Sequence, residues 1–244
     1  MCGRYGIEQA YVQLALRYQA VVKAIDPGPR YNVAPTQDVP VIVAYDGERY
    51  VVHHRWGLVP NWAKDLSVGA RMINARAETV ATLPAFRESL ERRRCIIPAT
   101  RFYEWQKLGK TGIPHTILRN DGFPMSFAGL WASWRHPETR ERFITCSIVT
   151  TAANQTLRGL HERMPVILED EAVTLWLDQS IRDPTRLQQV LVSDPEDAVY
   201  AYPVGKLVND VKNDGPELVE SMSEADLRGE WESVIAGPKG GLLD

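Results

Sequence analysis

Val39-Pro-Val-Ile-Val-Ala-Tyr45, then Asp46-Gly47, then Arg49-Tyr-Val-Val-His-His54 follow one another in the chain, and these two β-rich runs around a turn decide the fold class. An Asp-Gly pair supplies the positive-φ residues that a two-residue hairpin turn requires, so the two runs are predicted to pair antiparallel. Strands joined by short turns favour an α+β domain over a doubly wound parallel sheet. We therefore predict a largely antiparallel, barrel-like β core flanked by helices.

Other parts of the chain also have sequence patterns typical of strands and helices. Ile113 to Leu118 and Phe123 to Trp131 are separated by Asn120-Asp121-Gly122, which predicts a second hairpin. Apolar residues at helical spacing predict an amphipathic helix over residues 7 to 22. Further strands are predicted at Cys95 to Ala99, Phe143 to Thr150 and Pro165 to Leu168, and further helices near residues 84 to 93, 154 to 160, 170 to 178 and 183 to 192.

Length and composition set the class of protein. The 244 residues include 44% hydrophobic ones and carry a formal net charge of −3, which fits one large domain without a global attraction to nucleic acid. We expect a single domain over residues 1–220 and a polar tail over 221–244. The three cysteines lack CxxC spacing, so neither a disulfide framework nor a metal site is expected. A reducing cytosol fits best, and no signal or membrane segment is evident.

Cys2 is the residue with the most distinctive chemistry. Removal of Met1 would leave a free amine and a thiol on adjacent carbons, and such a 1,2-aminothiol condenses with an aldehyde to a thiazolidine ring. The ordinary pKa values of an α-amine, about 8, and of a cysteine thiol, about 8.5, leave both nucleophiles available near neutral pH. A chance Met-Cys start is the alternative interpretation.

Four other side chains are candidates for the same site. In Met72 to Thr79, period-two alternation places Asn74 and Arg76 on one face, where an amide and a guanidinium could hold a phosphodiester-linked aldehyde. Glu104 lies between two aromatic residues, and desolvation there would raise its pKa. His161 lies between a helix and a strand and could shuttle a proton. A solvated strand face or a structural histidine remains the alternative for each.

Aromatic residues in loops suggest contacts with bases. The loop Arg55 to Trp62 holds two tryptophans, Trp56 and Trp62, beside Gly and Pro. An exposed tryptophan can stack on a base, whereas a buried one covers the core edge.

Seven motifs in order closely resemble the SOS response-associated peptidase (SRAP) family. The resemblance runs from residue 1 to about residue 220. The motifs are Met1-Cys-Gly-Arg-Tyr, Arg30-Tyr-Asn-Val-Ala-Pro-Thr, Trp56-Gly-Leu-Val-Pro-Asn-Trp, Ile73-Asn-Ala-Arg-Ala-Glu-Thr, Phe102-Tyr-Glu-Trp, Ala128-Gly-Leu-Trp and His161-Glu-Arg-Met-Pro-Val-Ile-Leu, followed by Val208-Asn-Asp-Val-Lys-Asn-Asp-Gly-Pro-Glu-Leu.

The resemblance implies a DNA damage response protein that binds single-stranded DNA at abasic sites, including junctions with duplex, and links to it covalently through Cys2. It implies Asn74, Glu104 and His161 as the other catalytic residues. The implied DNA-binding residues are Arg4, Asn32, Trp62, Arg76 and Arg87. It also implies removal of Met1, either by the protein itself or by an aminopeptidase, and a weak lyase activity. We expect no cofactor or metal, a monomer, and a cytoplasmic location with nucleoid association on DNA.

Two other functions use nearly the same residues. A thiol peptidase could employ Cys2 as an N-terminal nucleophile with Asn74 in an oxyanion hole. A non-covalent reader of single strands would leave Cys2 a structural role. Loss of the thiol by Cys2→Ser separates simple binding from crosslinking, because a hydroxyl cannot sustain the thiazolidine whereas simple binding should persist.

Overall fold

A computed structural model describes residues 2–108, 111–193 and 195–235, and within these ranges the chain forms thirteen strands and six α-helices. The strands are β1 (Tyr5–Ile7), β2 (Ala20–Val22), β3 (Arg30–Val33), β4 (Asp38–Tyr45), β5 (Glu48–Trp56), β6 (Asn74–Arg76), β7 (Arg94–Ala99), β8 (Arg101–Leu108), β9 (Thr111–Arg119), β10 (Met125–Arg135), β11 (Arg142–Ala152), β12 (Arg163–Pro165) and β13 (Val199–Pro203). The helices are α1 (Tyr11–Tyr18), α2 (Arg87–Arg92), α3 (Gln155–Arg158), α4 (Asp170–Leu177), α5 (Pro184–Gln188) and α6 (Glu224–Ile235). Short 3₁₀ turns lie at Leu66–Arg71, Lys206–Asn209 and Pro216–Val219.

Five strands close into a barrel. They run in the order β11-β10-β7-β4-β5, and β5 returns to pair with β11 in parallel. The β4–β5 hairpin turns at Asp46 and Gly47, whose φ angles are 49° and 79°, so the predicted hairpin and its turn chemistry are confirmed. Apolar side chains from all sides fill the core, and the α+β, barrel-like fold predicted from the sequence is confirmed.

A second sheet packs against the barrel in the order β13-β9-β8-β1-β3. Phe102 of this sheet meets Phe127 of the barrel with ring centroids 5.9 Å apart, and Tyr5 meets Trp56 at 5.3 Å. Edge-to-face aromatic pairs of this kind add stability beyond the area that they bury. They fix the N-terminal strand against the barrel.

The predicted hairpin between residues 113–118 and 123–131 is wrong. Strand β9 pairs with β8 and β13, whereas β10 pairs with β7 and β11, so the two strands belong to different sheets. Asp121 and Gly122 do form a turn, with Gly122 N donating to Arg119 O at 3.3 Å. Pro124 then follows, and because proline has no N–H it cannot donate to a ladder with β9.

The helix predicted over residues 7 to 22 is also too long. Ile7 lies in β1, and α1 ends at Gln19, which adopts a left-handed φ of 51° before the chain continues as β2. The side chain of Gln13 accepts from Ala10 N at 3.0 Å and caps the start of the helix. The other predicted helices are confirmed at their predicted places, and each is shorter than predicted. The strand predicted over residues 165–168 corresponds to β12, which covers residues 163–165 instead.

The C-terminal segment has more structure than a tail. Val204 forms a β-bridge with Ser221, and Lys206 pairs with Glu230 of α6 at 2.6 Å. The domain boundary at residue 220 stays a prediction, and residues 236–244 lie outside the described residues. No helix in the described ranges is long and apolar enough to cross a membrane.

Candidate active site

The N-terminal segment is led to the site by strand pairing. β1 runs antiparallel to β8 with Tyr5 opposite Phe102, and Tyr103 N donates to Arg4 O at 3.0 Å. This ladder continues the pairing beyond β1, so it brings the chain just after Cys2 alongside the part of β8 that carries Glu104.

Strand β11 brings in the remaining candidates. Thr150 on β11 is paired with Arg76 of β6 on one side and with Pro165 of β12 on the other. Asn74 lies two residues before Arg76, and His161 lies two residues before the start of β12. Residues far apart in sequence therefore converge around the end of one barrel strand.

Cys2 is fully buried, and its backbone carbonyl accepts a hydrogen bond of 2.9 Å from Nδ2 of Asn74. Burial raises the pKa of the Cys2 thiol, and the nearby carboxylate of Glu104 raises it further. The sulfur is therefore held as a thiol at neutral pH. Oδ1 of Asn74 is buried and accepts no hydrogen bond from any residue in the described ranges, so an acceptor lies close to Cys2.

Glu104 is 6% exposed, and burial raises its pKa from the ordinary 4.5 to about 7. Desolvation disfavours the carboxylate, so a large fraction of the side chain carries a proton at neutral pH. An acid with this pKa can give up and take back a proton under physiological conditions.

His161 is half-buried, and burial lowers its pKa. Its Nδ1 accepts a hydrogen bond of 2.9 Å from Arg163 N. An imidazole nitrogen that accepts from an amide carries no proton, so the ring is neutral with its proton on Nε2. His161 is therefore set to accept or return a proton with a defined orientation.

The predicted DNA-binding residues fall into two groups. Trp62, Arg76 and Arg87 are exposed, and Trp62 has 59% of its surface accessible. Arg4 is half-buried, and Asn32 has no exposed surface. A direct contact between Asn32 and DNA is not possible in this arrangement, because every polar atom of its side chain faces the protein interior.

Of the two loop tryptophans, only Trp62 has an accessible ring. Trp56 is fully buried and its Nε1 donates to Ile73 O at 3.0 Å, so it belongs to the core. Trp62 lies on a turn in which Ala63 N donates to Pro60 O at 3.0 Å. Ala63 O in turn accepts from Nε1 of the buried Trp134 at 2.7 Å, which anchors the turn beneath the exposed ring.

Sequence reasoning did not find two further features of the site. Arg163 forms a two-pronged ion pair with Glu78, with N–O distances of 2.5 and 2.9 Å, and so ties β12 to the turn after β6. The segment from Val208 to Asp214 packs against Arg4 and Asn32. The segment is part of a family motif, but nothing in its local sequence pattern indicates a contact with Arg4 or Asn32.

An α+β barrel with a buried N-terminal cysteine, held by an asparagine and placed beside a protonatable glutamate, defines a cysteine-centred site at the start of the chain. The model of the SOS response associated peptidase (SRAP) family matches residues 1–211, and the chain belongs to this family.

Relatives and solved structures agree with this assignment. The chain is 42% identical over 225 residues to the abasic site processing protein YoqW of Bacillus subtilis, a match that covers 91% of this chain and 100% of the relative. It is 33% identical to the abasic site processing protein YedK of Escherichia coli, covering 90% and 99% of the two chains. A crystal structure of a protein from Bacteroides thetaiotaomicron superimposes with a TM-score of 0.83 at 27% identity, covering 91% and 100%.

Proposed function

We propose that this protein binds single-stranded DNA at abasic sites and forms a covalent thiazolidine crosslink through Cys2 once Met1 has been removed. The observation that carries the proposal is the hydrogen bond of 2.9 Å from Asn74 to the Cys2 carbonyl, beside a Glu104 whose pKa is raised to about 7. The names of the relatives, abasic site processing proteins, support the same substrate for this chain.

The reaction starts from the sugar of the abasic site, which exchanges between a closed hemiacetal and an open aldehyde. Protonated Glu104 gives its proton to the ring oxygen while neutral His161 takes the proton of the anomeric hydroxyl, and the bond between C1 and the ring oxygen breaks to give the aldehyde. The α-amine of Cys2 attacks the aldehyde carbon, and loss of one water gives an imine. The Cys2 sulfur then bonds to the same carbon, and the thiol proton ends on the ring nitrogen.

Asn74 and His161 complete the machinery. Nδ2 of Asn74 fixes the Cys2 carbonyl, and its buried Oδ1 can accept from the amine that reacts. Neutral His161 accepts and returns protons at the sugar hydroxyl and the imine. The same imine permits β-elimination of the 3′ phosphate, so the proposal includes a weak lyase activity.

Processing controls this chemistry. While Met1 is present, the nitrogen of Cys2 is part of a peptide bond, so neither the imine nor the thiazolidine can form. Removal of Met1, by the protein itself or by an aminopeptidase, is therefore the activating step.

DNA is held through its backbone and through one stacked base. Arg4, Arg76 and Arg87 contact phosphates, while Trp62 stacks at the edge of a junction between single and double strands. We propose a monomer that acts in the cytoplasm and associates with the nucleoid when bound to DNA.

A denaturing gel tests the proposal. Methionine-free protein mixed with a single strand bearing one abasic site should give a slow-migrating band, and Cys2→Ala should abolish it. Cys2→Ser should abolish the band while leaving binding intact, which separates crosslinking from a non-covalent reader. An undiminished band with Cys2→Ala would overturn the proposal.

A further inference from the structure

Asn32 uses its whole side-chain amide inside the protein. Nδ2 lies 2.7 Å from Asn213 O, 3.0 Å from Asp210 O and 3.3 Å from Val208 O. Oδ1 accepts from Nη1 of Arg4 at 2.8 Å. A buried amide is stabilising only when its donors and acceptor are satisfied, and Asn32 meets that condition by joining a loop to an arginine.

Arg4 is held on three sides by uncharged groups. Besides Oδ1 of Asn32, its Nη1 donates to Val208 O at 2.7 Å. Its guanidinium lies 5.8 Å from the ring centroid of Trp105. Arg4 has no carboxylate within ion-pair distance in the described part of the chain. Asp210 acts on Arg4 electrostatically from beyond that distance. The guanidinium is therefore held in place by uncharged groups, and no direct ion pair within the described residues competes with a bound anion.

The loop over residues 208–213 is fixed from the opposite side as well. Asp214, which follows it, accepts from Asn32 N at 2.8 Å and pairs with Arg30. Nε1 of Trp105 donates to Oδ1 of Asn209 at 2.8 Å. The loop, Trp105 and Arg4 therefore form one connected unit with Asn32 at its centre.

We infer that Asn32 is a positioning residue that acts on DNA through Arg4, by holding the guanidinium and the loop over residues 208–213 in a single preorganised arrangement. The inference rests on the proposed function, because it takes a DNA phosphate as the anion that Arg4 binds. It replaces a direct contact at Asn32 by an indirect one.

The group of Asn32 that accepts from Arg4 is an uncharged amide oxygen, and the absence of charge at this position matters for binding an anion. A carboxylate at this position would form an ion pair with Arg4 and compete with the phosphate, whereas an amide oxygen orients the guanidinium without neutralising it. The amide nitrogen is needed as well, because three carbonyl oxygens face it. Asparagine is the residue that supplies both groups on a short side chain.

A double-mutant cycle tests the inference, with anisotropy of a labelled single strand that contains no abasic site as the readout. Arg4→Ala should weaken binding and lower the slope of log affinity against log salt by about one. Asn32→Ala should weaken binding about tenfold and lower the slope in the same direction. In the Arg4→Ala background, Asn32→Ala should have little further effect, whereas in the Arg76→Ala background its full effect should persist.

Full additivity of Asn32→Ala with Arg4→Ala would overturn the inference, as would equal coupling to Arg4 and Arg76, which indicates a general loss of structure. If circular dichroism shows that Asn32→Ala does not fold, the same cycle with Asn209→Ala decides, because Asn209 is exposed and its removal frees Trp105 beneath Arg4. Coupling of Asn209→Ala to Arg4 supports the inference, and additivity contradicts it.

The crosslinking gel keeps the two proposals apart. A wild-type protein that binds single strands with the expected coupling but gives no slow band contradicts the proposed function and leaves the role of Asn32 intact. A wild-type protein that crosslinks but shows no coupling contradicts only the inference.

Discussion

Asn74 donates a hydrogen bond of 2.9 Å from its side-chain amide to the backbone carbonyl of Cys2, a residue 72 positions earlier in the chain. The contact fixes the end of the N-terminal segment against β6, which is itself paired with the barrel strand β11. The orientation of Cys2 is thus set by strands that belong to the barrel.

Replacement of Asn74 should slow the reaction of Cys2 without changing the affinity for DNA. Asn74→Ala removes a partly buried hydrogen bond, which is worth about 1 kcal/mol of stability, and leaves the Cys2 carbonyl without its donor. We expect the single-turnover rate of adduct formation to fall at least tenfold while affinity for an undamaged strand is unchanged. Denaturing gels measure the rate of adduct formation, and fluorescence anisotropy measures the affinity for the undamaged strand. An unaltered rate would show that Asn74 has no role in the reaction.

Glu104→Gln should change the pH dependence of crosslinking. With a pKa of about 7, wild-type Glu104 is protonated below that pH and loses its acid form above it, so the assisted rate should fall as pH rises through 7. Glutamine cannot donate a proton to the sugar, so the variant should be slower and should lose this descending limb. Glu138→Gln, the same change at an exposed glutamate between β10 and β11, serves as the control, and a profile for Glu104→Gln that follows the control would exclude the acid role.

The same carboxyl group predicts a pH dependence of stability. Burial raises its folded-state pKa from 4.5 to about 7, so the folded protein binds the proton more tightly than the unfolded chain between these values. Its contribution is therefore fully present below pH 4.5 and is lost as pH rises through 7, by about 3 kcal/mol in total. Glu104→Gln should remove this loss, so that urea denaturation shows the variant gaining stability relative to wild type from pH 5 to pH 8. A constant difference would contradict the raised pKa.

The sequence alone predicts what local chemistry controls. Asp46-Gly47 adopts the positive-φ turn that its residues favour, and the β4–β5 hairpin follows directly. Glu104 lies between two aromatic residues in the sequence, which predicts desolvation, and in the structure the side chain is buried and its pKa is raised.

Pairing between distant segments is not contained in local patterns. Pro124 indicates that β10 does not pair with β9, but it does not indicate that β10 pairs with β7. The parallel pairing of β5 with β11, which closes the barrel, is not specified by any turn in the sequence. Asn32 illustrates the same limit for the site. The resemblance implies Asn32 as a DNA-binding residue, but its amide meets carbonyls 176 to 181 positions further along the chain.

Arg76→Ala should weaken binding regardless of base sequence, because a phosphate contact carries no sequence information. We expect the salt slope to fall by about one, with a smaller change for Arg87→Ala, whose place in the site is less direct. Arg228→Ala, an exposed arginine on α6, is the matched control and should leave the slope unchanged. A loss of affinity for Arg76→Ala that depends on base composition would contradict the phosphate assignment.

Trp62 offers a test in which stability and binding separate cleanly. Its ring is 59% exposed, while the turn beneath it is anchored by the bond from Trp134 Nε1 to Ala63 O, so Trp62→Ala should leave the melting temperature nearly unchanged. Loss of one stacked base should weaken binding to a strand with a duplex junction by about 1–3 kcal/mol. Trp62→Phe should retain much of the affinity, since a phenyl ring also stacks.

Val192→Ala, a substitution of a similarly exposed apolar residue, controls for the general loss of apolar surface. Equal affinity for Trp62→Ala and wild type on junction DNA, measured by anisotropy, would show that the exposed ring does not contact a base.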